Sequence, residues 1–357
     1  MLNYAIRRVL WAVPTMFAIL FMILAFLHAA PGDPAAMALG LGGGGSGEVS
    51  EEGANIEKKL EEFRHEHALD RNFFIQYLGY LGPFNVRPDG HEFFGGTGED
   101  PWGGFLALKF GNELINKNKS IGSELKRRLM EVTLPFAIIS SFLTYLLAIP
   151  IGIFSANRKG TRIDKVTTLI LFILYAIPVF WAGLMLQLVF GAEGLGALPV
   201  IGMHSGGAED LGVFAWLWDT GKHMVMPIAV MTYGGLAYIS RQMRTGMIEV
   251  IHQDYIRTAR AKGLSERTVI LKHALRNSMI PVITLFASIL PILIGGSIVV
   301  EIIFDLPGMG EYMFRGLQAR DYNIIMAVMA LTSAMTLAGI LMSDIAYAMI
   351  DPRISYS

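Results

Sequence analysis

The chain has 357 residues, of which 53% are hydrophobic and only 17% charged, with a formal net charge of −1 and a mean hydropathy of +0.47. Soluble domains run near 25% charged, so this composition excludes an ordinary soluble globular protein and points to an all-α membrane protein, counted in spans of about 20 apolar residues. The absence of cysteine excludes disulfides, thiolate metal sites and cysteine nucleophiles, and the 20 methionines suit flexible packing between helices.

Six apolar runs follow in order, at 9–30, 132–156, 166–190, 225–239, 279–303 and 324–350. Arg7 and Arg8 precede the first run and Ala29 and Ala30 close it, the outline of a secretory signal. Its apolar core is longer than a signal's central region, so it reads as an uncleaved span. Residues 31–131 form the one soluble portion, opening on a flexible glycine-rich linker, GLGGGGSGEVSEEG, that is expected to be disordered. A helix is expected next, because Ile56, Leu60, Phe63 and His67 recur on one helical face. His65, His67, Asp70 and His91 do not read as a metal site, since residues two apart on a helix point to different faces.

The short fourth run, at 225–239, contains Gly234 and Gly235 and is marginal as a span. Orientation follows from the short connections. Arg7, Arg8, the 157–165 connection, the 241–278 connection and Arg353 together hold fifteen Lys and Arg, against Lys222, Arg315 and Arg320 on the other side. Both termini therefore face the cytoplasm. Lys126, Arg127 and Arg128 run against that bias, but they belong to a loop too long for the rule to govern.

Six spans suit a transporter, a channel or a membrane enzyme. No serine-nucleophile elbow and no HExxH zinc signature occurs, which disfavours an intramembrane protease. No P-loop occurs either, so the chain does not hydrolyse nucleotide by that route and active transport would draw energy from another chain. His28 and Asp344 lie near span ends and Gln187 is neutral, so they read as interfacial or interhelical hydrogen-bonding groups, not a proton relay.

The segment TARAKGLSERTVILKHALRN, 258–277, carries five basic residues and one acid between two apolar runs. Residues 253–262 read as a helix with Ile251, Tyr255, Ile256 and Ala259 on one face, ended by Gly263 at the position where a left-handed residue is needed. Ser265 then caps a second helix that bears Val269, Ile270, His273 and Ala274 on one side. A DNA-binding helix-turn-helix has this outline, but both ends run straight into spans, which keeps the pair at the bilayer surface and away from nucleic acid. The readings left are an amphipathic pair held by anionic lipid and a docking element for a soluble partner.

These residues resemble a known family: the permease subunits of binding-protein-dependent ABC importers, in the B-type group for dipeptides, oligopeptides and nickel. The segment is similar to that family's cytoplasmic "EAA" loop, with Gly263 as its glycine and Ala259 as its second alanine. Arg257 and Thr258 stand where the general pattern has Glu and Ala, and His273 and Arg276 where it has Ile and Pro. The peptide branch's own version, DYxRTARAKGLSExxVxxxHALRNxxIP, matches almost throughout 254–281. Also similar are Arg7-Arg8, Pro31-Gly32-Asp33-Pro34, Leu69-Asp70-Arg71, Gln76-Tyr77, Phe110-Gly111, FDLPGMG at 304–310 and Asp351-Pro352-Arg353. The glycine-rich insertions at 41–53 and 85–104 depart from the pattern.

The resemblance implies a type I importer permease (MetI-like) fold of six transmembrane helices, with a large extracytoplasmic loop between the first two. Residues 1–30 would be the amino terminus and first helix, 31–131 the external loop, 132–350 a five-helix core with its coupling loop at 241–278, and 351–357 a cytoplasmic tail. It implies a non-catalytic subunit of the inner (plasma) membrane that passes di- or oligopeptides or related solutes and binds no cofactor or metal, ATP and Mg being held by partner chains. Those partners would be a second homologous permease, two ATP-binding subunits and an extracytoplasmic solute-binding protein. The ATPase-coupling residues would be Asp254, Tyr255, Arg257, Thr258, Ala259, Arg260, Ala261, Lys262, Gly263, Leu264 and Ser265, while substrate-binding residues stay unassigned. The basic side chains Arg257, Arg260 and Lys262 are expected either to pair with partner acids or simply to enforce topology and meet lipid headgroups. The alternative reading is a homo-oligomeric six-span channel or ion-coupled transporter without an ATPase.

Overall fold

A computed structural model of the protein describes residues 2–41, 51–82, 103–210, 212–279, 282 and 296–350. Among them the chain is helical, with no strand and two isolated bridge pairs. The helices run in order α1 (Leu2–Ala29), α2 (Pro34–Ala38), α3 (Glu51–Glu66), α4 (Phe73–Leu81), α5 (Ile121–Arg127), α6 (Leu134–Asn157), α7 (Arg162–Ala176) and α8 (Val179–Phe190). They continue with α9 (Val213–Ile251), α10 (Asp254–Ala261), α11 (Glu266–Thr268), α12 (Leu275–Ser278), α13 (Ile298–Ile303), α14 (Met309–Ala319) and α15 (Tyr322–Ile350). Two compact units divide the chain, one made of residues 1–5, 132–307 and 338–357 and the other of 6–131 and 308–337.

Among the described residues three helices are long and apolar enough to cross a membrane, Ile6–Ala29, Ile121–Asn157 and Tyr322–Met342. A fourth is added if α7 and α8, which meet at 96° within the apolar run at 166–190, count as one span. Pro178 causes the bend: its ring bars the residue before it from helical geometry, and Ile177 sits at φ −74° and ψ 122°. The Ile177 carbonyl, lost to the helical ladder, accepts a hydrogen bond from the Tyr233 hydroxyl at 3.0 Å. The marginal fourth run proves to be the middle of α9, a 39-residue helix about 58 Å long. Most of the fifth run, and the 42–50 part of the expected linker, lie outside the described residues. The linker's last three residues, Glu51, Glu52 and Gly53, are the first turn of α3.

In the first unit α6 packs along α9 at a distance that only small residues allow. A Cβ at Gly152 would lie 2.6 Å from the Met243 Cβ and 2.7 Å from the Ser240 carbonyl oxygen. One at Gly235 would lie 2.7 Å from the Thr144 Cγ2. Thr144 donates to the Ser140 carbonyl at 2.7 Å, which satisfies its hydroxyl in an apolar setting. Gln187 on α8 donates to the carbonyls of Val200 (3.0 Å) and Ile303 (2.8 Å), the interhelical role its sequence position suggested.

In the second unit the motif pieces resolve into local ties. Phe63 is buried on the expected face of α3, with the His67 ring 4.3 Å from its own. His65 faces Asp70 at 3.0 Å, and no group of three potential metal ligands exists among the described residues, His91 lying outside them. Asp33 caps α2 through the Ala35 amide and pairs with Arg64 at 2.6 Å. Buried Gln76 donates to the carbonyls of Leu69 (3.2 Å) and Arg71 (2.9 Å), and Tyr77 donates to the Phe17 carbonyl on α1 at 2.8 Å. Arg320 donates to the carbonyls of Ala30, Pro31 and Gly32.

Two of the three residues in the basic cluster that breaks the charge bias find acids of the same unit. Arg127 and Arg128 both pair with Glu124, at 2.9 and 3.0 Å. Arg128 is buried, reaches Glu311 at 2.5 Å and lies 4.6 Å above the Tyr312 ring. Tyr312 in turn donates to buried Glu113 at 3.1 Å, which Arg315 meets at the same distance.

Asp321 completes this buried polar layer, accepting from the amides of Leu114 (2.7 Å) and Ile324 (3.1 Å). Burial pushes its carboxyl up to about 6, while those amides pull the other way and Glu113 adds to the rise. A carboxyl raised on folding holds its proton more tightly in the folded state, so its contribution is complete below the ordinary carboxylate range and is lost as pH climbs through about 6. Between pH 4 and pH 7.5 this group alone is expected to lower stability by on the order of 2 kcal/mol. Asp321→Asn should flatten that slope in thermal unfolding followed across this range; equal slopes in the two proteins would sink the assignment.

Candidate functional site

The segment from α10 to α12 is built from the bottom up by its own residues. Gln253 enters α10 in extended conformation, Asp254 places an acid in the first turn and Arg260 a base in the last, each complementing the helix dipole. Lys262 ends the helix and Gly263 follows at φ +77°, the left-handed position expected of it. Ser265 then caps the next helix, its hydroxyl accepting from the Thr268 amide at 3.4 Å. That second helix is not uniform, because Val269–Ala274 form a wider π-helical turn between α11 and α12.

The two sides of the segment do different things. Ile256, Ala259, Val269 and Ala274 are buried in one apolar cluster with Ala148 of α6 and Ile239, Met243 and Met247 of α9. Ala259 is therefore a foot on which α10 stands against the spans. Opposite it, Asp254, Arg257, Thr258, Arg260, Ala261, Lys262, Gly263, Leu264 and Ser265 are exposed. Tyr255 is 42% exposed and its hydroxyl accepts from the Asn277 side chain at 2.7 Å, joining the start of the segment to its end.

The charges are sorted as well. Arg260 clasps Glu266 across the Gly263 turn with two bonds, Nε to Oε2 at 3.1 Å and Nη2 to Oε1 at 2.7 Å. That hydrogen bond raises the arginine's pKa and lowers the Glu266 carboxyl below its ordinary range. Both groups are well exposed, so the pair contributes under about 1 kcal/mol but fixes the geometry of the turn. Arg260 thus already holds an acid of its own chain, and Arg257 faces Asp254 at 3.5 Å. Lys262 has no acidic partner among the described residues and is the tip's free cation.

A clamp that motif reading missed lies close by in the same unit. Asp164, 4% exposed, accepts both Nε and Nη2 of Arg244 at 3.0 and 2.9 Å, the Ser155 hydroxyl at 2.5 Å and the Gly160 amide at 2.9 Å. Thr161 caps α7 by accepting from the Asp164 amide at 3.3 Å. The α6–α7 connection is thereby bolted to α9 two turns before that helix ends at Ile251. The available signal was small: Asp164 is the lone acid among Arg158, Lys159, Arg162 and Lys165.

Comparison with known proteins gives this geometry its family. Residues 148–356 match the profile of the binding-protein-dependent transport system inner membrane component. The chain is 35% identical over 356 residues, covering 100% of both chains, to the oligopeptide transport system permease protein AppB of Bacillus subtilis (strain 168). It is 31% identical over 356 residues, again covering 100% of both, to the glutathione transport system permease protein GsiC of Escherichia coli (strain K12). Its fold is similar to a chain of the MetNI methionine ABC transporter solved in inward-facing conformations, with a TM-score of 0.50 at 16% identity, covering 64% of this chain and 97% of that one. With a family profile over more than half its length and full-length relatives above 30% identity, the chain belongs to the inner-membrane permease components of binding-protein-dependent ABC transport systems.

Proposed function

We propose that the chain lines the translocation path of an ATP-driven importer for di- or oligopeptides or related small solutes, and that residues 254–265 are its handle for an ATPase subunit. The observation that carries the coupling role is the exposed left-handed turn at Gly263, standing on a buried apolar foot formed by Ile256 and Ala259. A rigid, capped element of that kind passes on a push as a displacement, where a loose loop would absorb it. The family makes this subunit non-catalytic, with ATP hydrolysis on separate chains.

The wider assembly in this reading comprises a second homologous permease, two ATP-binding subunits and an extracytoplasmic solute-binding protein. In this reading the chain has six spans, with both termini and the handle in the cytoplasm and the 31–131 loop outside. Names of relatives support a peptide cargo, since AppB is an oligopeptide permease and GsiC a glutathione permease.

The native chain has no cysteine, so single cysteines introduced at Lys262 or Leu264 report without background. Each should crosslink to an ATPase subunit in the assembled transporter, and less efficiently when nucleotide closes the ATPases. Labelling of the same positions by a membrane-impermeant reagent from outside intact cells would overturn the orientation. Crosslinks from Ala148 or Met243 in place of the tip would move the contact elsewhere.

A further inference from the structure

A cavity of about 560 Å³ lies in the first unit between α6, α7 and α9, within the size range of small-molecule sites. Its two ends differ. At one end Ser155, Arg241 and Arg244 line it, and at the other Leu171, Phe172 and Tyr175 of α7 do. Arg244 is matched by Asp164, but Arg241 is exposed and has no acidic partner among the described residues, so that end keeps one uncompensated positive charge. Phe172 and Tyr175 are 67% and 66% exposed.

Shape narrows the occupant further. The seven-residue steps from Ala237 to Arg244 and from Thr168 to Tyr175 each cover about 10 Å of axis. A groove of that length and volume has room for an extended hydrocarbon chain. The charged end lies toward the α6–α7 connection, and the apolar end lies deeper along all three helices.

We propose that this groove binds an anionic glycerophospholipid of the leaflet that bathes α10, its phosphate on Arg241 and one acyl chain along Leu171, Phe172 and Tyr175. A free phosphate would leave the apolar end wet, and a zwitterionic lipid would bring a cation of its own beside the uncompensated charge and so gain less. The site rests on the chain being a membrane permease and is independent of the coupling role of Gly263.

The test uses the assembled transporter in nanodiscs of mixed phosphatidylglycerol and phosphatidylcholine, with a trace of either lipid carrying a photoreactive group on its acyl chain. Phosphatidylglycerol should label α7 at least about fivefold more than phosphatidylcholine, the factor expected for one basic residue. Arg241→Gln should bring the ratio near one, Arg241→Lys should keep it, and Leu171→Trp, which fills the groove, should cut labelling by both. Equal labelling by the two lipids in the native protein, or a preference that survives Arg241→Gln, would overturn the proposal. So would labelling that appears in the isolated chain and vanishes on assembly, which would give the groove to a partner subunit.

Discussion

Gly263→Glu is expected to cut uptake by at least about tenfold while the protein still inserts and accumulates normally. At φ +77° a side chain costs roughly 1–2 kcal/mol, yet among the described residues, its chain neighbours aside, nothing lies within 4 Å of where the Cβ would stand. The variant therefore does not overpack its own fold. What it loses is the left-handed turn that sets α10 against α11, together with any close approach of a partner's backbone. Those two roles separate with Gly263→Asn, because asparagine tolerates the left-handed region. If asparagine restores uptake, the glycine is a cap; if it does not, a partner needs the bare backbone. Normal uptake in Gly263→Glu vesicles would remove the coupling role altogether.

Arg244→Ala is expected to be the most destabilising single change in the first unit, because it strands a carboxylate that is 4% exposed. Breaking a buried pair by removing one partner costs about 3–5 kcal/mol. The Ser155 and Gly160 donors remain on Asp164, and the arginine itself was 29% exposed, so the lower end of that range applies. Arg244→Lys keeps the charge but not the two-pronged geometry and should lie between the native protein and alanine. In a double-mutant cycle with Asp164→Ala, the two changes together should cost less than the sum of each alone. Additive losses in thermal unfolding would show that the clamp carries no coupling energy. Peptide uptake should fall with the clamp, since it holds the helix from which the handle departs.

The parts of the molecule legible in sequence were those whose cause is local. Gly263 and Ser265 declare a break because a left-handed residue and an N-cap are properties of one or two positions, and both stand where expected. Spacing found buried Phe63 on α3 and buried Ile256 and Ala259 on α10 in the same way, while Ile56 and Tyr255, expected on those same faces, are 38% and 42% exposed. Hydropathy counts apolar residues and carries no angle, so the size of the 96° corner at Pro178 was not legible in the apolar run. It also stops at the first charge, which is why α9 was read as 225–239 when Arg241 and Arg244 simply continue the helix. The Asp164–Arg244 clamp joins residues 80 positions apart, and the Arg128–Glu311 pair 183, so no local pattern carries them. Arg260 shows the opposite limit: its charge suggested a partner's acid, and the acid proves to be its own chain's Glu266.

The tight meshing of α6 with α9 has a mechanical consequence. Two helices locked at Gly152 and Gly235 resist sliding past one another, so the stretch of α9 from Gly235 to its end moves together with the facing part of α6. Compliance is left to the places where the ladder of backbone bonds is interrupted, at Pro150 in α6, at Pro227 in α9 and at the Ile177–Pro178 elbow, which the Tyr233 hydroxyl ties to α9. A displacement of α10 would then pass to α6 and α9 together and be taken up as bending at those prolines.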